Sequence, residues 1–554
     1  MKRLSTFFLV CAMLCMSLSG CAQNTEQPLP QSSVNVSEID GTQIILSDDG
    51  ITVDGNAISA SETDSVYAAN DIVYYEEGKD FTYGEGDPSD AHSAAEADAH
   101  TVVHITKPGT YVLNGKLSQG QVAVDLGKDA KEDPDAVVTL ILNGIDIFCS
   151  VAPAVIFYNV YECGSSDEET ASMTVDTSAA GANVLIADGT VNNITGSYVA
   201  RIYKPESVVL NEAGTEVTEA KKLHKYDAAF YSKKSMNVDA WGEGTGVLNI
   251  FAENEGLDSE LHLTINGGNI NITSGNDGIN TNEDYVSVTT VNGGNLNIVV
   301  NGSTGEGDGI DSNGWLVING GSVSAFACGF SADAGIDSDM GIHVNGGTVV
   351  ASGNMLDRLE DGGQTYAVFT FAQTQKGGST YTMKNAAGEI VAECMPVNDF
   401  SILVISAPEM TAGEYTFWQG DTQLAASAGS SGGMMGGMRP GGMMGGMQFP
   451  GGMEFSGDMQ FDRPGNMQMP DGMRFPENME IPEGMQPPQG ERGDSFAKWD
   501  GPMTIPEGAE MDPAQMQRPN GDRGGWQGSS SAEVSPVFTI VDGANYFSAV
   551  TAAK

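Results

Sequence analysis

The chain has 554 residues and a formal net charge of −49, because 74 aspartates and glutamates outnumber 25 lysines and arginines. This excess of negative charge excludes nucleic acid and anionic lipid surfaces as electrostatic partners, and it favours bound cations. The charge does not define an oligomeric state.

The N-terminus has the pattern of a bacterial lipoprotein signal. Two basic residues and an apolar run precede Leu18-Ser19-Gly20-Cys21, which matches a lipobox. The pattern predicts a signal peptide over residues 1–20, lipidation of Cys21 and a polar tether over residues 21–35; an ordinary cleaved signal peptide is the alternative. Because two acyl chains anchor a protein stably, we expect the protein on the extracellular face of the cell membrane, at the cell surface.

The next residues contain a short β pattern and then a long repeat. We expect a small β segment and an acidic loop over residues 36–101, and the main domain over residues 102–360. Within that domain Asn-Gly-Gly recurs every 26 or 27 residues, starting at Asn266, Asn292, Asn319 and Asn345. This period is typical of repeat architectures. Short β-branched runs with period-two alternation separate the copies, so the sequence predicts an all-β fold, a right-handed parallel β-helix.

A second motif alternates with the first and carries the acidic residues. Each copy has glycine, an aliphatic residue, an acid or amide, a hydroxyl residue, and another acid or amide, starting at Gly256, Gly278, Gly309 and Gly335. Alternate residues of a strand share a face, so stacked copies would form columns of oxygen ligands suited to calcium (Ca2+). The candidate metal ligands are Asp258, Glu260, Asp277, Asn280, Asn282, Asp308, Asp311, Asn313, Asp333, Asp337 and Asp339. Turn chemistry and hydrogen-bonded asparagine ladders are the alternative explanation of these residues.

The repeat fades after residue 360, and the composition then changes. Residues 361–428 are predicted to form a closing β region that caps the solenoid. Residues 429–530 are rich in Met, Gly and Pro and are predicted to be a disordered insertion. Residues 531–554 hold apolar runs that favour a last strand returning to the cap.

Four cysteines lie beyond the lipobox: Cys149, Cys163, Cys328 and Cys394. Their spacing does not match a zinc site. We expect mostly buried thiols, with one disulfide as the alternative.

Several motifs together resemble a known family. They are Thr110-Tyr111-Val112-Leu113-Asn114-Gly115, Gly120-Gln121-Val122-Ala123-Val124-Asp125, Leu140-Ile141-Leu142-Asn143-Gly144, Asp188-Gly189-Thr190-Val191-Asn192 and the two repeat motifs. In this order they resemble the calcium-binding, carbohydrate-binding β-helix family of clostridial cell surfaces. The resemblance implies a pectate-lyase-like fold and binding of cellulose or pectin-like polysaccharide. Two long polar loops, at 162–180 and 197–225, and the Met-rich tract depart from that pattern.

The residues favour binding over catalysis. Tyr285 and Trp315 are candidate sugar-stacking residues, although core packing explains each of them equally well. Elimination of pectin needs a positioned Arg or Lys as base, and neither occurs between Gly256 and Gly353. We therefore expect a non-catalytic polysaccharide-binding protein. A structural or adhesion protein with purely structural calcium is the alternative, and a polysaccharide lyase is a more distant one.

Overall fold

The structure is a computed structural model that describes residues 39–429 and 534–553. The predicted signal peptide, Cys21, the tether and nearly all of the Met-rich tract lie outside the described residues. Every described residue belongs to one compact unit, formed by Met1–Met438 and Ser531–Lys554.

Nearly all regular structure is β, which confirms the predicted all-β class. The strands before the repeats are β1 Thr42–Leu46, β2 Thr52–Val53, β3 Asn56–Ala57, β4 Val66–Ala69, β5 Thr101–Ile105, β6 Gly109–Leu117, β7 Gly120–Asp125, β8 Val138–Phe148, β9 Val155–Asn159, β10 Ala182–Ala187, β11 Val191–Gly196, β12 Val199–Tyr203, β13 Val209–Leu210, β14 Val217–Glu219 and β15 Lys222–Tyr226. Those of the repeat region are β16 Ala228–Ser232, β17 Met236–Trp241, β18 Val247–Ala252, β19 Glu255–Ser259, β20 His262–Ile265, β21 Asn269–Ser274, β22 Ile279–Thr281, β23 Val288–Val291, β24 Asn295–Val300, β25 Ile310–Ser312, β26 Trp315–Ile318, β27 Ser322–Phe326, β28 Gly341–Val344 and β29 Thr348–Gly353. The closing strands are β30 Tyr366–Gln375, β31 Tyr381–Asn385, β32 Ile390–Cys394, β33 Phe400–Ser406, β34 Gly413–Gln419, β35 Thr422–Ala428, β36 Phe538–Ile540 and β37 Ala544–Ala552.

Helix is scarce in the described ranges. The α-helix α1 spans Ala94–Asp98, and three short 3-10 helices span Ala130–Glu132, Glu168–Thr170 and Pro205–Ser207. No helix in 39–429 or 534–553 has the length and apolar character to cross a membrane.

Three parallel ladders organise the repeat region. The first stacks β1, β6, β8, β10, β17, β20, β23, β26 and β28. The second stacks the end of β8 with β11, β18, β21, β24, β27 and β29. The third stacks β5, β7, β9, β16, β19, β22 and β25, with β4 antiparallel at its edge. From β19 to β27 the chain visits the third, first and second ladders in turn, three times over.

The aliphatic position of the acidic motif forms the core under the third ladder. Leu257, Ile279 and Ile310 are fully buried, and Ile336 is 2% exposed. Burying one such side chain stabilises the fold by about 1.5–3 kcal/mol. Because each motif contributes one, the core extends with every repeat.

The Asn-Gly-Gly motif makes the turn between the first and second ladders. Its asparagine side chains form a continuous amide ladder: Asn292 donates to Asn266 at 2.8 Å, Asn319 to Asn292 at 2.9 Å, and Asn345 to Asn319 at 2.9 Å. The second glycine has a left-handed backbone, for example φ +80° at Gly321, which favours glycine strongly. The motif is therefore explained by packing and turn geometry.

The segment predicted as 36–101 differs from the expectation in two ways. Thr42–Leu46 pairs in parallel with β6, so it begins the first ladder and does not form a separate β segment. The predicted acidic loop contains α1, because the side chain of Ser93 accepts from the Glu96 backbone and Glu96 accepts from the Ser93 N–H. Such a capping box satisfies two backbone donors that the helix end leaves free.

The strands after residue 360 are mainly antiparallel and cover the end of the ladders. β33 pairs antiparallel with β29 and with β30. β37 pairs with β30 and β35, so the C-terminal residues return to this region. Stacked aromatic rings fill its core, with Phe369 centred 4.2 Å from Phe417 and 5.2 Å from Phe547.

Candidate functional site

The acidic motif lines the outer face of the third ladder. Leu257, Ile279 and Ile310 are paired across β19, β22 and β25, and a further bridge joins Ile310 to Ile336. These four side chains point into the core, so the residue after each one faces outward. The structure thus brings four predicted ligands into a single column, the central column: Asp258, Asn280, Asp311 and Asp337.

A second column, the leading column, contains the residue before each motif glycine: Glu255, Asp277 and Asp308. Asp277 and Asp308 each accept a hydrogen bond from the backbone of the next repeat. The N–H of Asp308 donates to Oδ1 of Asp277 at 2.7 Å, and the N–H of Ala334 donates to Oδ1 of Asp308 at 2.5 Å. Each contact uses one carboxylate oxygen and leaves the other for a ligand.

Asp333 does not share this register. Ala334 occupies the leading position of its repeat, and Asp333 lies one residue ahead. Its carboxylate accepts from the Gly307 N–H at 2.7 Å and from the Ser331 hydroxyl. Asp333 therefore closes the loop before its repeat.

The tightest group of carboxylates lies at the first repeat. One oxygen from each of Asp227, Glu255 and Asp258 lies within 4.8 Å of the others. The three residues are 7%, 6% and 0% exposed. Lys225 contacts Asp227 at 2.5 Å and balances one of the charges. Among the described residues, this is the group of carboxylates whose oxygens lie close enough together to hold a metal ion.

The electrostatics of the two columns follow from burial. Desolvation, together with the charges of nearby carboxylates, raises the pKa of Asp277 and of Asp311 to about 7 and that of Asp337 to about 8. The same causes raise the pKa values of Glu255 and Asp258 well above the usual range. Without a cation the columns would take up protons near neutral pH, whereas a cation between the carboxylates would keep them ionised.

Three buried oxygens of these columns have no hydrogen-bond partner among the described residues. They are Oε2 of Glu255, Oδ1 of Asn280 and Oδ1 of Asp337. Glu255 is 6% exposed and Asn280 is 7% exposed. A buried acceptor without a partner costs about 1–3 kcal/mol. All three oxygens lie in two adjacent columns, where they are open to a donor or a cation.

The predicted ligand Glu260 is already partnered. Its carboxylate accepts from the hydroxyl of Tyr231, and Nζ of Lys222 lies 3.5 Å away. These contacts connect Glu260 to β16, which precedes β19 in the third ladder, and to β15. The structure therefore places Glu260 beside the columns, outside the tight carboxylate group.

Two of the three predicted amide ligands, Asn282 and Asn313, donate hydrogen bonds to carboxylates. Asn282 donates to both oxygens of Asp258 at 2.8 and 2.9 Å, and Asn313 donates to Asp284 at 2.8 Å. Their nitrogens brace the acidic residues. Asp339 is at the equivalent position of the last repeat and is exposed.

Sequence reasoning missed Asp227, Glu255 and Asp357. Glu255 precedes Gly256 as Asp277 precedes Gly278, so extending the motif one residue upstream identifies it. Asp227 directly precedes β16, in which Ala228 holds the position that Glu255 holds in β19. Because β16 lacks the acidic motif, the motif does not identify Asp227. Asp357 accepts from the Ser338 N–H at 3.0 Å and follows the last copy, where no pattern marked it.

The predicted aromatic residues do not form a stacked pair. Tyr285 and Trp315 are both half-buried, and the ring contacts within residues 39–429 and 534–553 do not join them. Tyr285 has a left-handed backbone with φ +61°. Trp315 lies on β26 between Val288 and Gly341 of the first ladder, on a different ladder from the acidic columns.

The four cysteines of the described ranges are free thiols. Cys149 and Cys328 are buried, and Cys163 and Cys394 are half-buried. The prediction that these cysteines are thiols is confirmed, and the described residues contain no disulfide.

Comparison with known proteins assigns this all-β repeat protein to a family. The chain belongs to the family described as carbohydrate-binding domain-containing protein, whose profile matches residues 99–390, just over half of the chain. A curated relative with that same description, from Acetivibrio thermocellus, is 26% identical over 171 residues. The match covers 31% of this chain and 44% of the relative, so the chain spans less than half the length of that relative.

A solved structure described as the polysaccharide lyase-like protein from C. thermocellum, a gadolinium derivative, also matches. The match has a TM-score of 0.31 and 19% sequence identity. It covers 56% of this chain and 93% of the other.

Proposed function

We propose that this protein is a cell-surface, calcium-loaded lectin-like lipoprotein, which binds polysaccharide on a parallel β-helix without cleaving it. The observation that carries the metal part is the pair of unpartnered, buried oxygens on Glu255 and Asn280, set among the carboxylates of the leading and central columns. Membership of the carbohydrate-binding family supports the sugar part.

The ligand atoms favour calcium over other metals. The group of Asp227, Glu255 and Asp258 offers only oxygens, which suit a hard cation, and thiolate or imidazole ligands would be expected for zinc or copper. Calcium binds oxygens at about 2.3–2.6 Å, so oxygens on opposite sides of one ion match the spacing of about 4.8 Å between stacked strands. Magnesium retains waters and strict octahedral geometry, which fits a buried column less well.

The three ladders support the β-helix part of the proposal. Each repeat contributes one strand to each ladder in the same order, as in β19, β20 and β21. Crossovers between parallel strands are right-handed in about 98% of cases, which gives the proposed hand. A β-helix of this type would place the acidic columns on one face and the Asn-Gly-Gly turns at a corner.

The lipobox supports anchoring through Cys21 at the outer face of the membrane. The glycan class implied by the family resemblance is cellulose or pectin-like polysaccharide. The absence of Lys and Arg between Gly256 and Gly353 supports binding without elimination chemistry, because the repeats offer no basic side chain to take the proton.

One observation favours the structural alternative, in which calcium only stiffens the fold. Asp258 is fully buried, and Glu255 is nearly so. An ion held there would not reach a sugar, so a protein of this second kind would bind calcium and lack a calcium-dependent glycan interaction.

The test is calcium titration calorimetry of the whole protein, with thermal melting in calcium and in chelator, followed by binding to cellulose and pectin with and without calcium. We expect calcium to bind and raise the melting temperature, and the Asp311→Ala, Asp337→Ala double variant to lose much of both effects. Unchanged calorimetry in that variant would refute metal binding at Asp311 and Asp337, and no calcium binding by the unmodified protein would refute the metal part altogether. Retention on no polysaccharide would refute the glycan function, and appearance of unsaturated product by ultraviolet absorbance would refute the non-catalytic assignment.

A further inference from the structure

A groove of about 590 Å³ lies over the outer face of the first ladder, away from the acidic columns. It is in the usual size range of ligand sites, roughly 300–1,000 Å³. Its floor crosses five strands of the ladder, β10, β17, β20, β23 and β26, and ends at Asn345 in the turn after β28. One wall is the loop 173–178, which belongs to the long polar insertion that the sequence shows at 162–180.

The loop is fixed to the floor by a buried polar contact. The Thr177 hydroxyl lies 2.7 Å from Oδ1 of Asn237 and 2.7 Å from Oγ1 of Thr264, and Asn237 donates to the Thr177 carbonyl at 2.8 Å. Thr177 is 5% exposed. The groove is therefore a built feature, because its wall is held by contacts between residues 60 and 87 positions apart.

The exposed asparagine ladder forms the polar side of the groove. Asn266, Asn292, Asn319 and Asn345 are all exposed, and each of the last three donates one N–H to the asparagine before it. An amide has two N–H donors and an oxygen with two acceptor sites. Each middle asparagine thus retains one donor and one acceptor site, so the ladder repeats a donor and an acceptor once per strand, about every 4.8 Å.

We infer that this groove is the glycan-binding site, and that its ligand is an uncharged, extended β-1,4-linked polysaccharide lying along the asparagine ladder. This inference rests on the carbohydrate binding proposed above and adds its place and ligand class. In such a glycan each sugar residue advances by about one strand spacing and presents equatorial hydroxyls, which both donate and accept. A curved α-1,4-linked chain would leave the straight ladder after a few residues.

The negative charge of the groove lining favours neutral over acidic glycans. Asp176 and Asp239 line the groove, and its lining contains no Lys, Arg or His. Hydrogen bonds from Ser178 hold the pKa of Asp176 below its usual value, so this carboxylate stays ionised. Because like charges facing each other disfavour binding, the groove disfavours polyuronates such as pectin.

Two tryptophans lie on the same face as the floor. Trp241 follows Asp239 by two residues on β17, and Trp315 precedes Val317 by two residues on β26. Alternate residues of a strand share a face, so both are on the groove side of the ladder. Trp241 is 42% exposed, so part of its indole ring is accessible to a sugar on this side of the ladder.

The experiment is isothermal titration of the whole protein in calcium with cellohexaose, xylohexaose and oligogalacturonate. Asn292→Ala removes a middle member of the groove ladder, and we expect it to weaken binding of a neutral oligosaccharide about tenfold. Thr290→Trp fills the floor without removing an amide and is expected to abolish binding.

The matched control is Asn271→Ala in the second ladder. Asn271 donates to Asn249 at 2.9 Å and accepts from Asn297 at 3.0 Å, so it is the middle of an equivalent amide ladder outside the groove. We expect it to lower the melting temperature as Asn292→Ala does and to leave glycan affinity unchanged.

The outcomes separate this inference from the proposed function. Glycan binding that persists unchanged in Asn292→Ala and Thr290→Trp would overturn the groove and leave the function standing. Binding of oligogalacturonate in preference to both neutral ligands would overturn the ligand class. Binding of no glycan by the unmodified protein would remove the carbohydrate function itself.

Discussion

The backbone N–H of Asp308 donates to Oδ1 of Asp277 at 2.7 Å, so a carboxylate of one repeat holds the chain of the next. The same contact recurs from Ala334 to Asp308. A cation can use the second oxygen of each carboxylate while the first keeps its backbone partner. The leading column therefore combines a structural contact with the metal-binding position proposed above.

This double use predicts different effects for two substitutions of Asp277. Asp277→Asn keeps an oxygen acceptor for the Asp308 N–H and removes the charge, so we expect weaker calcium binding with little loss of stability in chelator. Asp277→Ala also leaves the N–H unsatisfied, which costs about 1–3 kcal/mol in either buffer. Thermal melts of both variants, with and without calcium, measure the two contributions separately. Equal melting temperatures of the two variants in chelator would contradict the backbone role.

The raised pKa values predict an unusual pH dependence in chelator. The pKa values are about 7 for Asp277 and Asp311 and about 8 for Asp337, against an ordinary value of 3.8. Each group stabilises the fold in its protonated form, and this contribution is lost as pH rises through 7 to 8. We expect the chelated protein to melt at a lower temperature at about pH 8.5 than at about pH 6.5.

Calcium should remove or reverse that trend, because the ion needs the ionised carboxylates. The comparison is a series of melts across this window in chelator and in excess calcium. The exposed Asp129 offers a control, since Asp129→Asn should change neither curve, whereas Asp311→Asn should flatten the chelator curve. Parallel pH curves in both buffers would argue against a cation in the columns.

The repeat and its register could be predicted from sequence because they are local and periodic. The aliphatic residue of each motif fixes which side faces the core, and Ile279 and Ile310 are paired as that pattern requires. The glycines that follow each asparagine mark the turn, since a Cβ on Gly321 would lie 2.7 Å from the Gly294 carbonyl. Burial and turn geometry act within one repeat, so they leave a signal in the sequence.

The remaining features depend on contacts that no local pattern encodes. Asp227 joins Glu255 and Asp258 only because β16 stacks on β19. The groove exists because Thr177 reaches Asn237, 60 residues further along the chain. Asn282 matched the ligand pattern, yet its nitrogen is turned toward Asp258, and residue type alone does not determine which end of an amide faces a neighbour.

His262 is predicted to make the protein sensitive to acid. It is 2% exposed, and the Val288 N–H donates to its Nδ1 at 3.1 Å. Burial lowers its pKa from 6.5 to about 4. Between about pH 6.5 and 4, this histidine therefore binds a proton in the unfolded chain but stays neutral in the folded chain. The free energy of unfolding falls by at most about 3 kcal/mol over that range.

Denaturant unfolding across that range tests the role of this histidine. His262→Gln should lower stability at neutral pH and make the acid-dependent fall shallower. His343, which is half-buried on the same ladder, supplies the control, because His343→Gln should leave the slope unchanged. An unaltered slope in His262→Gln would assign the acid sensitivity to other groups.

We predict that adding a single methyl group to the second glycine of an Asn-Gly-Gly turn greatly lowers the stability of the fold. Gly321 has φ +80°, and a Cβ there would also lie 2.8 Å from the carbonyl carbon of Gly293. The left-handed backbone costs about 1–2 kcal/mol for alanine, and the contact with the fixed backbone of the neighbouring repeat adds about 1–3 kcal/mol. Gly305→Ala is the control, since Gly305 has φ +107° with no atom within 4 Å of a Cβ. Chemical unfolding should show that Gly321→Ala loses clearly more stability than Gly305→Ala. Equal losses would mean that the glycine is needed only for its backbone conformation and that close packing between repeats makes no contribution.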